Sequence, residues 1–151
     1  MTVEFREPTE ADILYVAANM RKQDQIEVRL SNGFSPIEAV RQGCATGNAA
    51  TFVINGVACA IFGAERDGLL SDVAVLWLLG TDDLFKHPKQ LVKYGRKVVT
   101  ALFDRYSLLY NYVHVNNDAS IRWLKSMGFE FQEPETYGVY KSKFVKFEGS
   151  R

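Results

Sequence analysis

Residues Leu108–Phe131 read LLYNYVHVNNDASIRWLKSMGFEF, a strand, a helix and a strand with almost no slack between them. Leu108 to Val115 is rich in aromatic and β-branched residues, which fit a pleated, half-buried surface. Asn116, Asn117 and Asp118 offer short polar side chains that cap the free N–H groups of a helix start. The helix runs from about Asp118 to Met127, with Ile121, Trp123, Leu124 and Met127 at helical spacing. Gly128 stops it, because glycine takes the left-handed conformation at little cost. Phe129 and Phe131 then point to one face of a new strand.

Upstream, Val3–Arg6 reads as a short first strand. Thr9 caps a following helix, with Asp12 as its capping-box partner and Ile13, Val16, Ala17 and Met20 as its apolar stripe. Gln25–Asn32 reads as a second short helix. Ser35-Pro36-Ile37-Glu38 opens a third, which ends near Gly43. Asn55-Gly56 between two apolar runs is a strong hairpin signal, joining Ala50–Ile54 to Val57–Ala64. Glu65–Gly68 makes the next turn, and Asp72–Leu79 is a nearly all-apolar strand buried on both faces. Pro88–Tyr106 is a long amphipathic helix with Leu91, Val92, Val98, Val99, Leu102 and Phe103 inward. Tyr137–Phe147 closes the chain as one strand.

Asn117-x-x-Ser120 followed by Gly128-Phe129 resembles the last conserved block of the GNAT acyl-CoA N-acyltransferase superfamily. Arg6 and Asp12 are similar to its N-terminal Arg-x-x-x-x-x-Asp pattern. The tighter run from Asn111 to Phe131 resembles GNAT-like proteins from the morphogenesis genes of short-tailed bacteriophages. The resemblance implies an α/β domain spanning residues 1–151: a mixed, largely antiparallel sheet with helices on both faces, splayed where Asp72–Leu79 lies beside Leu108–Val115. It implies acyl transfer from acetyl-CoA, or another acyl-CoA, to a small-molecule or protein amine. The alternative it carries is a non-catalytic protein of phage assembly or host interaction, with a phage or host protein partner. A homodimer is a further expectation.

The resemblance also places the site. Leu76, Trp77, Leu78 and Leu79 would offer backbone hydrogen bonds to the cofactor, and one N–H there would polarise the thioester carbonyl. The superfamily usually carries a glycine-rich phosphate loop before the long helix. Here that interval is Leu79–Pro88, with no glycine pair and with Asp82 and Asp83 in it. Lys86, His87 and Lys89, beside a helix N-terminus, are the substitute for pyrophosphate binding. The basic run Lys86, Lys89, Lys93, Arg96, Lys97 and Arg105 is otherwise a solvated helix face. Asn117 and Ser120 either bond the pantetheine arm or cap their own helix. The position where the superfamily often has a proton-donating Tyr holds Leu124. His114 and Asp72 are the candidate bases for the amine proton. Each has a bland alternative, a structural histidine and a turn aspartate.

Composition bounds the rest. The chain has 151 residues, 47% hydrophobic and 24% charged, as in an ordinary globular domain. A formal net charge of +0 gives no ground for nucleic-acid binding. No apolar run approaches the ~20 residues that span a bilayer. Cys44 and Cys59 make neither a disulfide framework nor a metal spacing. A cytoplasmic location is the expectation, in a bacterial host or a virion if the gene is a phage's.

Overall fold

The computed structural model describes residues 1–151. The strands are β1 Val3–Arg6, β2 Ala49–Ile54, β3 Val57–Arg66, β4 Val73–Gly80, β5 Leu108–His114, β6 Glu130–Phe131, β7 Glu135–Tyr137 and β8 Ser142–Ser150. The helices are α1 Glu10–Ala18, α2 Lys22–Asn32, α3 Pro36–Cys44, α4 Pro88–Phe103 and α5 Asp118–Ser126. The strands form one sheet in the order β1-β2-β3-β4-β5-β8-β6, with β7 also on β8. Every pairing is antiparallel except β4 with β5.

The local signals act as their chemistry requires. Thr9 and Ser35 each close a reciprocal capping box, with Asp12 and Glu38. Asn55 and Gly56 take φ of 51° and 80°, the left-handed pair of a tight hairpin. Gly128 ends α5 at φ 94°. The core is two-sided. One cluster sets Ile13 and Val16 of α1 and Val40 of α3 against Ile61 and Leu79. On the opposite face Val99 of α4 and Leu124 of α5 pack on Leu109, Val113 and Phe147.

Several boundaries differ from the sequence reading. α2 begins at Lys22 rather than Gln25, which brings Asp24 into the helix, and α4 ends at Phe103 rather than Tyr106. β4, β5 and α5 shift by one residue at one or both ends. β3 runs on to Arg66, so the turn begins later, at Asp67. The single strand expected over Tyr137–Phe147 is a hairpin of β7 and β8, since Gly138 and Lys141 at φ 82° and 51° turn the chain. An added Cβ at Gly138 would lie 2.6 Å from the Leu30 carbonyl oxygen, so that turn is seated on α2.

Trp77 of β4 lies between two glycines. A Cβ at Gly43 of α3 would sit 2.5 Å from its ring, and one at Gly63 of β3 would sit 3.0 Å away. Both glycines therefore stand where the indole needs their missing side chain. Gly43→Ala should destabilise the fold by about 1–3 kcal/mol, the usual cost of overpacking. It should do so although alanine gains ~1 kcal/mol in a helix. In a Trp77→Ala background the same change should stabilise. Urea denaturation of the four-member cycle reads this sign reversal, and additive effects would show that the ring does not need the space.

Candidate active site

The sheet opens where its one parallel pairing stops. β4 and β5 pair only at Val73–Val75 with Leu108–Tyr110. Beyond that, residues 76–80 and 111–114 diverge, so two inner strand edges need partners. At the narrow end, the Asn111 side chain spans the gap, its Nδ2 donating to the Leu76 carbonyl at 2.8 Å. At the wide end, the Gly80 N–H donates to Asp24 Oδ2 at 2.8 Å, and the Gly80 carbonyl accepts from the Arg21 N–H at 2.8 Å. The His114 N–H donates to Glu27 Oε1 at 3.0 Å. Helix α2 thus closes the mouth of the split with Asp24 and Glu27.

Between these braces is a window. β3 pairs with β4 without interruption, so the groups facing the gap alternate along β4. Gly80 faces the gap with both its N–H and its carbonyl, and Leu78, two residues earlier, does the same. No side chain reaches the Leu78 N–H.

A cavity lies on each side of the sheet. The first, of about 110 Å³, is mostly apolar and sits under α4 and α5, between Leu76, Leu91, Tyr94, Val98, Trp123 and Leu124. The second, of about 250 Å³, lies on the face carrying α2 and α3. The two share Glu27, Trp77, Leu78, Asn111 and Tyr112, which are the residues of the window. The indole Nε1–H groups of Trp77 and Trp123 are buried without an acceptor. Trp77 lines both cavities and Trp123 lines the first. Burial without a partner is costly for such a donor. Both are suited to accepting atoms of a ligand in the cleft.

The window is acidic. Arg21 Nη1 donates to Asp24 Oδ1 at 2.9 Å, and Arg21 Nη2 to Asn117 Oδ1 at 3.4 Å. Asn117 Nδ2 donates to Glu27 Oε1 at 2.7 Å. Burial outweighs these favourable bonds. It pushes Asp24 up to about 6 despite Arg21 and the Gly80 N–H. Burial, then the neighbouring Asp24, pushes Glu27 up to about 7, against the bonds from Asn117 and His114. Glu27 Oε2 makes no hydrogen bond within the chain, and Glu27 borders both cavities.

Leu76, Trp77 and Leu78 line the first cavity, and Leu79, which also belongs to the core beneath α1 and α3, lines the second. Ser120 also lines the first cavity, beside Trp123. Asn117 is 1% exposed and wholly engaged, capping α5 through the Ser120 N–H and joining Arg21 to Glu27. Lys86 Nζ lies 3.1 Å from Asp83 Oδ1, so its charge is already paired. Asp83 also accepts from the Tyr15 hydroxyl at 3.4 Å. His87 makes no side-chain cap to α4, whose first position is Pro88. The next N–H groups, of Lys89 and Gln90, therefore face outward at the positive end of a 16-residue helix, with the Lys89 ammonium unpaired.

The two candidate bases are not brought to the window. His114 uses its backbone N–H on Glu27, its Nδ1 accepts from the Asn116 N–H at 3.2 Å, and its ring stands edge-on to Phe144. Its imidazole lines neither cavity. Asp72 is exposed before the start of β4, at the paired end of the split, and its carbonyl accepts from the Ser107 N–H at 2.8 Å. Sequence reasoning missed Asp24 and Glu27. The one signal was their spacing, since Asp24 and Glu27 lie three apart on one face of α2, with Arg21 three before Asp24 at the helix N-cap. Nothing in the sequence said that this face meets the split.

A mixed sheet opened between a fourth and a fifth strand, with helices on both faces, is the fold of the GNAT acyltransferases. The spermidine N-acetyltransferase of Vibrio cholerae, solved with CoA and spermine, superposes with a TM-score of 0.70 at 9% identity, over 98% of this chain and 95% of that one. The ribosomal-protein-S18-alanine N-acetyltransferase of Escherichia coli gives 0.69 at 14%, over 99% and 94%. A putative acetyltransferase of Salmonella typhimurium, solved with its cofactor acetyl-CoA, gives 0.68 at 16%, over 99% and 94%. These likenesses establish the fold. The chain belongs to the family described as "Bacteriophage T7, probable scaffold protein Gp13", whose model matches residues 48–136, more than half of it. No curated protein matches it in sequence.

The raised Glu27 has a consequence for stability. Between its ordinary value of 4.5 and about 7, the folded chain keeps a proton that the unfolded chain releases. Stability falls as pH rises through that window. Glu27→Gln keeps an acceptor for the His114 and Asn117 donors and removes the titration. Its melting temperature should exceed that of the parent at pH 8, with the gap closing toward pH 5. Scanning calorimetry across that range checks this, and a pH-independent gap would show that Glu27 ionises as easily folded as unfolded.

Proposed function

We propose that the chain is an acyl-CoA-dependent N-acyltransferase. The observation that carries this is the pair of cavities meeting through the β4–β5 window, with a carboxylate and a backbone N–H at their junction. A two-substrate transfer needs such a layout, with one reactant entering from each face of the sheet and the reacting atoms meeting in the gap.

Acyl-CoA would supply an activated acyl group as a thioester. The apolar cavity under α4 and α5 has the lining for its pantetheine arm, with the Trp77 and Trp123 N–H groups as donors. The α4 N-terminus and Lys89 suit its phosphates, while Asp82 and the Asp83–Lys86 pair make that end less cationic than a glycine-rich loop. The Leu78 N–H is placed to stabilise charge developing on the carbonyl oxygen. Glu27 Oε2 accepts a proton from the attacking ammonium. The nitrogen then forms its bond to the carbonyl carbon as the carbon–sulfur bond breaks, and the electron pair of that bond leaves on sulfur. The nitrogen's second proton goes to the thiolate, and Glu27 returns its own to water through the cavity. Leu124 is packed among core residues as well as lining the cleft. It donates no proton, so the thiolate leaves unaided, which a thiol pKa near ~8.5 permits at modest rates.

A second role, in assembly of a phage particle within a bacterial cytoplasm, is supported by the description of the family model. Calorimetric titration with acetyl-CoA tests the enzyme directly, and no heat at high micromolar ligand would leave the assembly role alone.

Given binding, Glu27→Gln should lower the rate of acetyl transfer by ~100-fold or more, the usual contribution of a general base. Its affinity for acetyl-CoA should hold. In the parent, kcat/KM should rise with pH through about 7, because the base works deprotonated. A thiol-release assay over a panel of amines reads both, and an undiminished Glu27→Gln rate would remove the carboxylate from the reaction.

Lys89→Ala should weaken acetyl-CoA binding by about 3–10-fold, as loss of one charge at a helix N-terminus and phosphate site would. Lys86→Ala, which also frees Asp83, should weaken it no less. Lys93→Ala plus Lys97→Ala should matter little, since both ammonium groups sit over the Tyr94 ring, at 5.4 and 5.1 Å. Equal losses from all three variants, read by calorimetry, would mean diffuse attraction with no phosphate seat at α4.

A further inference from the structure

The cavity on the α2–α3 face differs in chemistry from its apolar counterpart. Two carboxylates line it, Glu27 at the window and Glu65 on β3, and none of its 16 lining residues is Lys, Arg or His. Neither carboxylate takes part in an ion pair. Aromatic rings fill much of the remaining wall: Phe34, Trp77, Tyr112, Tyr137 and Phe144. Tyr112 and Tyr137 are stacked with centroids 3.9 Å apart, and Phe144 packs against Tyr137 at 5.2 Å. Burial, followed by the charge of Glu135, raises the Tyr112 phenol, so it too stays neutral near pH 7. Arg21, which reaches Asn117 beside Glu27, is spent on Asp24 and Asn117.

An anion would meet two like charges and no cation here, with only neutral donors such as Asn32, Gln42 and the Trp77 N–H beside the rings. A neutral amine would leave Glu65 unpaired. A cation gains from both carboxylates and from the ring faces, which attract positive charge. The cavity volume of about 250 Å³ suits a slender chain rather than a folded peptide. The carboxylates are also separated in role. Glu27 stands at the window, where a reacting nitrogen must arrive. Glu65 is paired in register with Val75, before the split opens, so it lies toward the closed end.

We propose that this cavity is an acceptor site for a short aliphatic diamine, with Glu27 receiving the ammonium that reacts and Glu65 holding the ammonium that does not. The proposal rests on the acyltransferase reading for the reaction itself but not for the binding. Glu65 is a specificity residue: it touches the far end of the substrate and takes no proton. The reacting nitrogen loses its two protons as described above, and the distal nitrogen keeps all of its own.

The probes are 1,4-diaminobutane and n-butylamine, titrated calorimetrically at low ionic strength into the protein alone and with CoA present. The diamine should bind at least 10-fold more tightly than the monoamine. Glu65→Gln should collapse that preference to about threefold or less. Asp104→Asn, which removes one surface charge at the end of α4, should leave it intact. Equal affinities for the two amines in the parent would overturn the proposal. So would an equal loss of preference in Asp104→Asn, because the effect would then be one of net charge. If Glu65→Gln fails to fold, Glu65→Ala and the salt dependence of the parent's preference serve instead, and a preference that survives 0.5 M salt would also overturn it. Failure here with acetyl-CoA binding intact sinks the diamine alone. Amine binding without any acetyl-CoA binding sinks the acyltransferase and leaves this site standing.

Discussion

The structure depends on a parallel pairing that is broken off after three residues. A sheet normally satisfies its inner strand edges by continuing the ladder. Here β4 and β5 part company beyond Val75 and Tyr110, and the edges are served instead by side chains and by α2. Asn111 holds the narrow end, and Asp24, Glu27 and the Arg21 backbone hold the wide end. What remains unserved between them is the place where a ligand can be held by backbone groups.

That solution puts charge where a sheet interior has none. Asp24 and Glu27 are needed as acceptors for Gly80 and His114, yet their burial costs them solvation, which shows in their raised proton affinity. Arg21 offsets part of the cost for Asp24, and the Asn117 amide offsets part for Glu27. The network is thus at once a structural brace and a source of a carboxylate poised near neutral pH. Carboxylates perturbed by burial and a neighbouring charge cluster at functional sites.

Helix α2 is the element that turns a familiar fold into a particular site. From one face it closes the split, from another it forms the wall of the larger cavity, and the β7–β8 turn is seated on its last residues. The glycines at 43 and 63 act in the same region by admitting the Trp77 ring.

Local chemistry was legible without coordinates. The caps at Thr9, Ser35 and Asn117, the Asn55-Gly56 turn, the Gly128 stop and the strand–helix–strand run from Leu108 are interactions between residues a few positions apart, so the sequence alone determined them. The GNAT-like fold class came from the resemblance of Asn117-x-x-Ser120 and Gly128-Phe129 to that superfamily, with which the order of the elements is compatible. The resemblance also placed Leu76–Leu79 at the splay, and each of the four lines one or both cavities. The β7–β8 hairpin was hidden because Lys141, a non-glycine, takes a left-handed conformation that its own type does not signal. The braces were hidden for a deeper reason. Glu27 meets Asn117 across 90 positions and His114 across 87, and Asp24 meets Gly80 across 56. Such pairings exist only once the sheet has twisted and α2 has docked, since the free edge that calls for a carboxylate is itself a product of where the parallel ladder stops. The tertiary structure alone therefore decided that two ordinary acidic residues of a short helix, rather than His114 or Asp72, face the gap.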